Sequence, residues 1–326
     1  MGIGGRTLQK FIDFHRAGIF DTVKSVAEIG SQELFCEGGE EIIREVLQTF
    51  TQASVSDAEV SRLAKRGAAR DLYKLMGLDY LCIDIDGQFG AIPLDLNFED
   101  VPPSHLGRYD FVTNFGTTEH VANQLNCFKV MHDLTSVGGY MYHELPCQGM
   151  LNHGLVNYNP KMFWMLCKSN FYDYVGMWFY ADTAHPHKLP DNIVQMCKDL
   201  DAETLDKFSS QDSMLAVLVR KKFDAPYVPP LDGNLEGTTD IQKLRYWSHI
   251  PGAYEKLLRE SNRQAATQPN QSSHESTVHD SDRIKALQAE LALANSRIAA
   301  MESSKFWKLR QRWFALKRLL GLSASD

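Results

Sequence analysis

The 326-residue sequence predicts an α/β fold, a doubly wound, mostly parallel sheet with an inserted helical segment and a C-terminal helical, coiled-coil tail. Three observations predict it. Short β-branched apolar runs alternate with helical patterns over the first 225 or so residues, the order that forces parallel pairing through right-handed crossovers. The gap between the first two runs is too long for one crossover helix. Beyond residue 264 the composition changes to a polar stretch followed by heptad spacing.

The strands are expected at Ser25 to Ile29, Tyr80 to Ile85, Tyr109 to Asn114 and Gly139 to Glu144, with a late pair at Tyr174 to Tyr180 and Ser213 to Arg220. Helical patterns lie at Ala68 to Met76 and Val121 to Leu134. Residues 37–67 read as one or two extra helices, an insertion expected over the site. Together residues 1–264 form the predicted globular domain. Residues 265–281 are rich in Ser, Gln and Asn without apolar period, hence a flexible linker. Ile284, Leu287, Leu291, Ala294, Ile298 and Met301 then follow a 3,4 spacing, a short coiled coil over 282–303 suited to a homo-oligomer. Phe306, Leu309, Trp313, Leu316 and Leu320 continue the spacing on another face, giving a separate amphipathic helix over 304–322.

Charge separates the two halves. Residues 303–322 hold six basic and no acidic side chains, so the rest of the chain carries −13 against a whole-chain −7. A global nucleic-acid binder would not show that balance. The basic, aromatic helix suits an anionic lipid surface or a partner groove, or packs on the chain's own acidic body. An apolar content of 44% fits a folded domain rather than a disordered chain. No uncharged apolar run reaches membrane-spanning length, and MGIGGRTLQKFIDFH lacks the order of a secretory signal. Arg6 stands where a myristoylation motif takes Ser or Thr. The chain is therefore expected in the cytoplasm, with peripheral membrane association left to the tail. Six cysteines scattered without a CxxC pair fit reduced thiols.

The chemistry is expected at strand ends. Val26-Ala27-Glu28-Ile29-Gly30-Ser31-Gln32 ends a strand in an acid and a glycine. The glycine lets backbone approach a ligand, and the acid suits a cationic amine. Tyr80-Leu81-Cys82-Ile83-Asp84-Ile85-Asp86-Gly87 ends in carboxylates, of which Asp84 is placed to accept from the vicinal hydroxyls of an adenosine ribose. Pro93-Leu94-Asp95-Leu96-Asn97-Phe98 offers polar groups to an adenine edge and apolar ones to its faces. Tyr109 to Val121 is a strand emptying into a polar turn, with a Glu119-His120 pair at the switch point of the sheet.

These segments, AEIGSQE, YLCIDIDG, PLDLNF, DFVTNFGTTEHV and GGYMYHELPCQGMLNHGLVNYNP, in that order between about Val23 and Lys221, resemble the class I S-adenosylmethionine-dependent methyltransferases, particularly bacterial members found with glycan-biosynthesis enzymes. The resemblance implies a Rossmann-like fold and S-adenosyl-L-methionine as cofactor. It places Glu28 and Gly30 by the methionine moiety, Asp84 on the ribose, Asp95 beside the adenine, and Asn114 to Gly116 along the pocket. One departure is that the family's loop has two or three glycines, whereas Gly30 is followed by Ser31, Gln32 and Glu33. Chemistry also favours this cofactor over a nicotinamide dinucleotide, because a pyrophosphate needs several glycine amides and is repelled by Glu28 and Glu33.

For the acceptor, the polar and aromatic cluster from His143 to Pro160 suits a small polar molecule, polyhydroxylated as a sugar is or amide-bearing. Methyl transfer asks the protein to align two reactants and remove one proton. His143 and His153 are the expected bases, with His120 third. No spacing resembles a metal-ligand motif, so no metal is expected. The competing reading is a non-catalytic coiled-coil scaffold with a degenerate cofactor fold. A sugar reductase or epimerase would need Tyr-x-x-x-Lys, but Tyr73 is followed four residues on by Gly77 and Tyr158 by Met162.

Overall fold

A computed structural model describes residues 2–36, 38–51, 54–180, 187–189 and 212–231. The chain divides into two units, Met1–Asn262 and Arg263–Asp326, and every described residue belongs to the first. The predicted linker, coiled coil and basic helix lie outside the described residues.

In chain order the first unit begins with β1 (Ile3–Gly4) and α1 (Gly5–Arg16), then β2 (Ser25–Ile29) and β3 (Leu34–Phe35). Next come α2 (Glu40–Phe50), α3 (Asp57–Ala64), α4 (Ala69–Leu75), β4 (Asp79–Asp84), β5 (Ile92–Pro93) and β6 (Tyr109–Phe115). The remainder is α5 (Gln124–Leu134), β7 (Thr135–Gln148), α6 (Pro160–Asn170), β8 (Asp173–Tyr180), β9 (His187–Leu189) and β10 (Ser213–Arg220). Strands β1 and β3 pair on their own, and the other eight form one sheet in the order β5-β4-β2-β6-β7-β10-β8-β9.

From β5 to β7 every pair is parallel, while β10 runs antiparallel between β7 and β8. The sheet is thus mostly parallel and Rossmann-like. Successive strands step outward from β2 in one direction to β4 and β5, then in the other to β6 and β7. That reversal opens a crevice at the carboxyl ends of β2 and β6, where a ligand binds in sheets of this kind.

Pleating sends alternate residues to opposite faces, and each face has its own core. On one face Val26, Phe111, Phe115 and Tyr142 pack against Leu8, Phe11 and Ile12 of α1 and against Ile43, Val46 and Leu47 of α2. On the other, Ala27, Ile29, Val112 and Met141 meet Phe128, Val130 and Met131 of α5 and Phe163 and Trp164 of α6. The doubly wound prediction therefore describes the molecule.

Some expectations need correction. The segment 37–67 does form two helices, α2 and α3, but they do not lie over the site. Their buried residues, Ile43, Val46, Leu47, Val60 and Leu63, belong to the layer packed on the sheet, because an apolar stripe this continuous is held by the core. Ser56 caps α3, accepting from the Glu59 amide while Glu59 reaches back. The strand expected at Gly139 to Glu144 runs to Gln148, since β10 pairs with it across an irregularity opposite Pro146. The strand placed over Tyr80 to Ile85 ends at Asp84. Helix α1 was not anticipated, and neither was α6, which starts with Pro160 behind an Asn159 cap. The five described cysteines are all free thiols. Among the described residues no helix is long and apolar enough to cross a membrane.

Candidate functional site

Beyond the carboxyl ends of β2, β4 and β6 lies a cleft of about 380 Å³. Its floor is the turn after β2, with Gly30, Ser31 and Gln32; one side is Asp84, Ile85 and Leu94 to Asn97, and the other is Gly116, Thr117, His120 and Val121. The predicted residues Gly30, Asp84, Asp95, Gly116 and His120 are thus brought together.

The β2 turn is shaped without the second and third glycines. Gly30 sits at φ +82°, and a Cβ there would fall 2.0 Å from Thr117 Oγ1, so this position needs glycine twice over. The following amides are tied to acids and a strand carbonyl. Gly30 donates to Ile83 O at 2.8 Å, Ser31 to Asp84 Oδ2 at 2.6 Å, and Gln32 to Glu28 Oε2 at 3.3 Å. Gln32 Nε2 reaches Thr117 Oγ1 at 3.0 Å, joining the turn after β2 to the turn after β6. Asp95 Oδ1 accepts from the Asn97 amide at 2.8 Å and from its side chain at 3.1 Å. Leu94 and Leu96 beside it are buried and supply an apolar wall.

Three predicted site residues lie behind the cleft rather than in it. Glu28 is fully buried and accepts from Tyr80 Oη at 2.7 Å. Burial pushes its pKa up to about 8, outweighing the Tyr80 and Gln32 hydrogen bonds. Asn114 is fully buried, and its Nδ2 donates to Thr118 Oγ1 at 2.8 Å while Oδ1 faces the Thr118 amide at 3.4 Å. It fixes the turn that carries Gly116 to His120. His143 is fully buried between Phe128 and Phe163, with ring centroids 5.6 and 5.1 Å away. Burial pushes its pKa down to about 3, so it is a neutral core ring. The extension of β7 past Glu144 places it within the strand rather than at the tip.

His153 comes instead from the loop after β7 and meets the turn after β6. Its Nε2 lies 3.3 Å from Glu119 Oε1, and His120 Nε2 lies 3.8 Å from the same oxygen. The two imidazole rings are 5.4 Å apart. Glu119, His120 and His153 present one ligand-type atom each, all within 4.8 Å of one another, although residues 119 and 153 are far apart in sequence and no local motif could have shown it. Ser31, Gln32 and Thr117 are polar cleft residues with no local sequence signal for a role; Ser31 and Gln32 show only as departures from a glycine-rich loop.

A second cavity of about 750 Å³ lies elsewhere, lined by Gly2, Gly4, Gly5, Arg6, Thr7, Phe35, Glu144, Met150, Tyr180, Met214 and Ala216. There Glu144 accepts from Thr7 Oγ1 at 2.6 Å and from Tyr142 Oη, and burial raises its pKa.

No family model matches the chain, and no curated protein matches it in sequence. Solved structures that resemble it are S-adenosylmethionine-dependent methyltransferases among others. One, a SAM-dependent methyltransferase from Archaeoglobus fulgidus, has 12% identity, a TM-score of 0.38, and coverage of 65% of this chain and 93% of its own. Another is the O-methyltransferase of a trans-AT PKS multienzyme of Brevibacillus brevis in complex with S-adenosyl-L-homocysteine, with 13% identity, a TM-score of 0.34, and coverage of 82% and 86%. TehB from Haemophilus influenzae has 10% identity, a TM-score of 0.33, and coverage of 64% and 62%. Likeness of this degree decides nothing about chemistry.

Proposed function

We propose that the chain binds S-adenosylmethionine in the cleft and transfers its methyl group to an oxygen or nitrogen of a sugar-containing or other small polar acceptor. The observation that supports this reading is the convergence of Gly30, Asp84, Asp95 and Gly116 on one crevice at the switch point of the sheet. Pyrophosphate is the poorer fit, because the turn after β2 spends its amides on Ile83, Asp84 and Glu28 and has one glycine.

When bound, S-adenosylmethionine supplies a sulfonium methyl whose loss leaves a neutral thioether. The chain's own residues then have separate tasks. Asp84 keeps one oxygen on the Ser31 amide and offers the other to a ribose hydroxyl. Ile85, Leu94 and Leu96 flank the adenine, and Asp95 stands at its edge. His120 at the rim, backed by Glu119 and His153, receives the proton of the acceptor. His143 stands behind the cleft, where its Nδ1 lies 3.4 Å from Asn114 Nδ2, and supports the turn through that residue.

Calorimetric titration with S-adenosylhomocysteine tests the reading. Asp84→Ala is expected to weaken binding by about 2–3 kcal/mol, roughly 30- to 160-fold, through the lost charge-assisted hydrogen bonds. Absence of heat with the folded wild-type chain would overturn the transferase reading and favour a scaffold.

A further inference from the structure

We infer that Glu119, His120 and His153 form a binding site for a divalent first-row metal ion at the rim of the cleft. Glu119 is the centre of the case. It is fully buried, and the only side chains within ion-pair distance of its carboxylate among the described residues are the two imidazoles. Its second oxygen, Oε2, is buried without a hydrogen-bond partner among them. A carboxylate is rarely left so, since an unmatched buried acceptor is destabilising. A cation held by the carboxylate, on the Oε1 side where both imidazole nitrogens stand, offsets the buried charge.

The backbone is built to bring the three together. Gly154 is pressed against Glu119, where a Cβ would meet Glu119 Cγ at 2.8 Å and its carbonyl at 3.0 Å. Leu155 donates its amide to the Glu119 carbonyl at 2.7 Å. The His153 loop is thereby clamped to the turn that carries His120. Ligand atoms about 2.0–2.1 Å from one ion stand about 2.9–3.4 Å apart. Two of the present separations are 3.3 and 3.8 Å to Glu119 Oε1 and the third is within 4.8 Å, so a shared ion asks the imidazoles to close by about an ångström or less at Glu119 and to draw nearer each other.

Two imidazoles and one carboxylate suit manganese, iron, cobalt, nickel or zinc better than calcium or magnesium, which take oxygen donors. The fully buried Glu119 lies beneath, while His120 and His153 are 49% and 29% exposed, so coordination positions remain open toward solvent and the cleft. Such an open site takes a ligand oxygen. Resting on the transferase reading, that oxygen belongs to the acceptor, a hydroxyl or carboxylate whose position the ion fixes and whose proton it loosens. With the ion bound, His120 and His153 serve as its ligands, and the acceptor's proton passes to solvent water instead of to His120.

The test uses the full chain, stripped with a chelator and titrated with Mn²⁺ while the free-ion electron paramagnetic resonance signal is followed. One ion per chain is expected, displaced by Zn²⁺ at lower concentration than by Mg²⁺. Glu119→Gln and His153→Ala should each weaken Mn²⁺ binding at least about tenfold, and His105→Ala, outside the site, should not. His153→Ala lies on a surface loop, which guards against misreading a folding defect of the buried Glu119 variant. No saturable binding, or binding that both variants leave unchanged, overturns the site. S-adenosylhomocysteine titrated into the same samples separates the two claims. Mn²⁺ held by these residues without cofactor binding keeps the ion site and sinks the transferase reading, and the reverse result sinks the ion site alone.

Discussion

Glu28 and Asp84 are acids near the ends of neighbouring parallel strands on the same face of the sheet, yet one is a core residue and the other lines the cleft. Depth separates them. Asp84 is the last residue of β4, whereas Glu28 lies one residue inside β2, and the turn that follows folds back to cap it with the Gln32 amide. Asn114 and His143 repeat the lesson on the other face, each buried inside a strand that continues beyond it. A polar residue near a strand end is therefore part of the support when the backbone beyond it returns over it, and part of the cleft when the strand stops.

The largest effect expected at the cleft comes from breaking the support turn itself. Gly30→Ala places a side chain at φ +82° and 2.0 Å from Thr117 Oγ1, so left-handed strain and overpacking each contribute about 1–3 kcal/mol. Chemical denaturation should show that loss, with S-adenosylhomocysteine binding abolished. Thr117→Ala alongside it removes the contacting Oγ1 and Cγ2 but not the strained backbone, and should restore only part of the stability. Full recovery would mean that the glycine answers to crowding alone.

A smaller effect should come from His143. Its pKa is pushed down to about 3 by burial from the usual 6.5 or so of an unfolded histidine. The folded chain then binds fewer protons than the unfolded one between those values. Its contribution is complete above about pH 6.5 and is lost as pH falls toward about 3, at up to about 1.4 kcal/mol per pH unit. His132, held at about 3 by burial and by the Lys221 charge, adds a slope of the same sign. Denaturation midpoints of His143→Leu measured across the acid range should show a shallower decline with the His132 part remaining. The variant loses the 3.4 Å contact to Asn114 Nδ2, but Asn114 keeps its bond to Thr118 Oγ1 and the residue lies outside the cleft, so cofactor affinity at neutral pH should stay within about twofold. A steep loss of affinity would place His143 at the site after all.

Much of this was readable beforehand, and the boundary of what was readable follows from how far a signal must reach. Apolar runs ending in Gly30, Asp84 and Gly116 are local, and they located the cleft because the doubly wound order alone sends those strand tips to one crevice. Helix α1 carries a legible signal in Leu8, Phe11, Ile12 and His15, at helical spacing behind a glycine-rich start. Asn159-Pro160 was likewise a legible start for α6. The extent of β7 was not legible, because pairing with β10 decides it and that partner lies some seventy residues on. The meeting of His153 with Glu119 was equally hidden, since the clamp of Gly154 on Glu119 is a contact between two loops.

Glu28→Gln is expected to leave the cleft alone and to reveal itself only through pH. The amide keeps an acceptor for Tyr80 Oη, now 2.7 Å from the carboxylate, so cofactor affinity should stay within about twofold. The folded pKa of Glu28 is raised to about 8 by burial, against about 4.3 for an unfolded glutamate. Between those values the folded chain binds more protons than the unfolded one, so the contribution is full below about pH 4.3 and is lost as pH rises through about 8. Glutamine has no proton to lose, and the variant should gain stability relative to wild type as pH rises across that window, with the gain levelling off above it. Thermal or denaturant unfolding at several pH values measures this directly. A flat difference would mean that Glu28 ionises as readily folded as unfolded, and a large loss of cofactor affinity would mean that the acid reaches the ligand through the Gln32 turn.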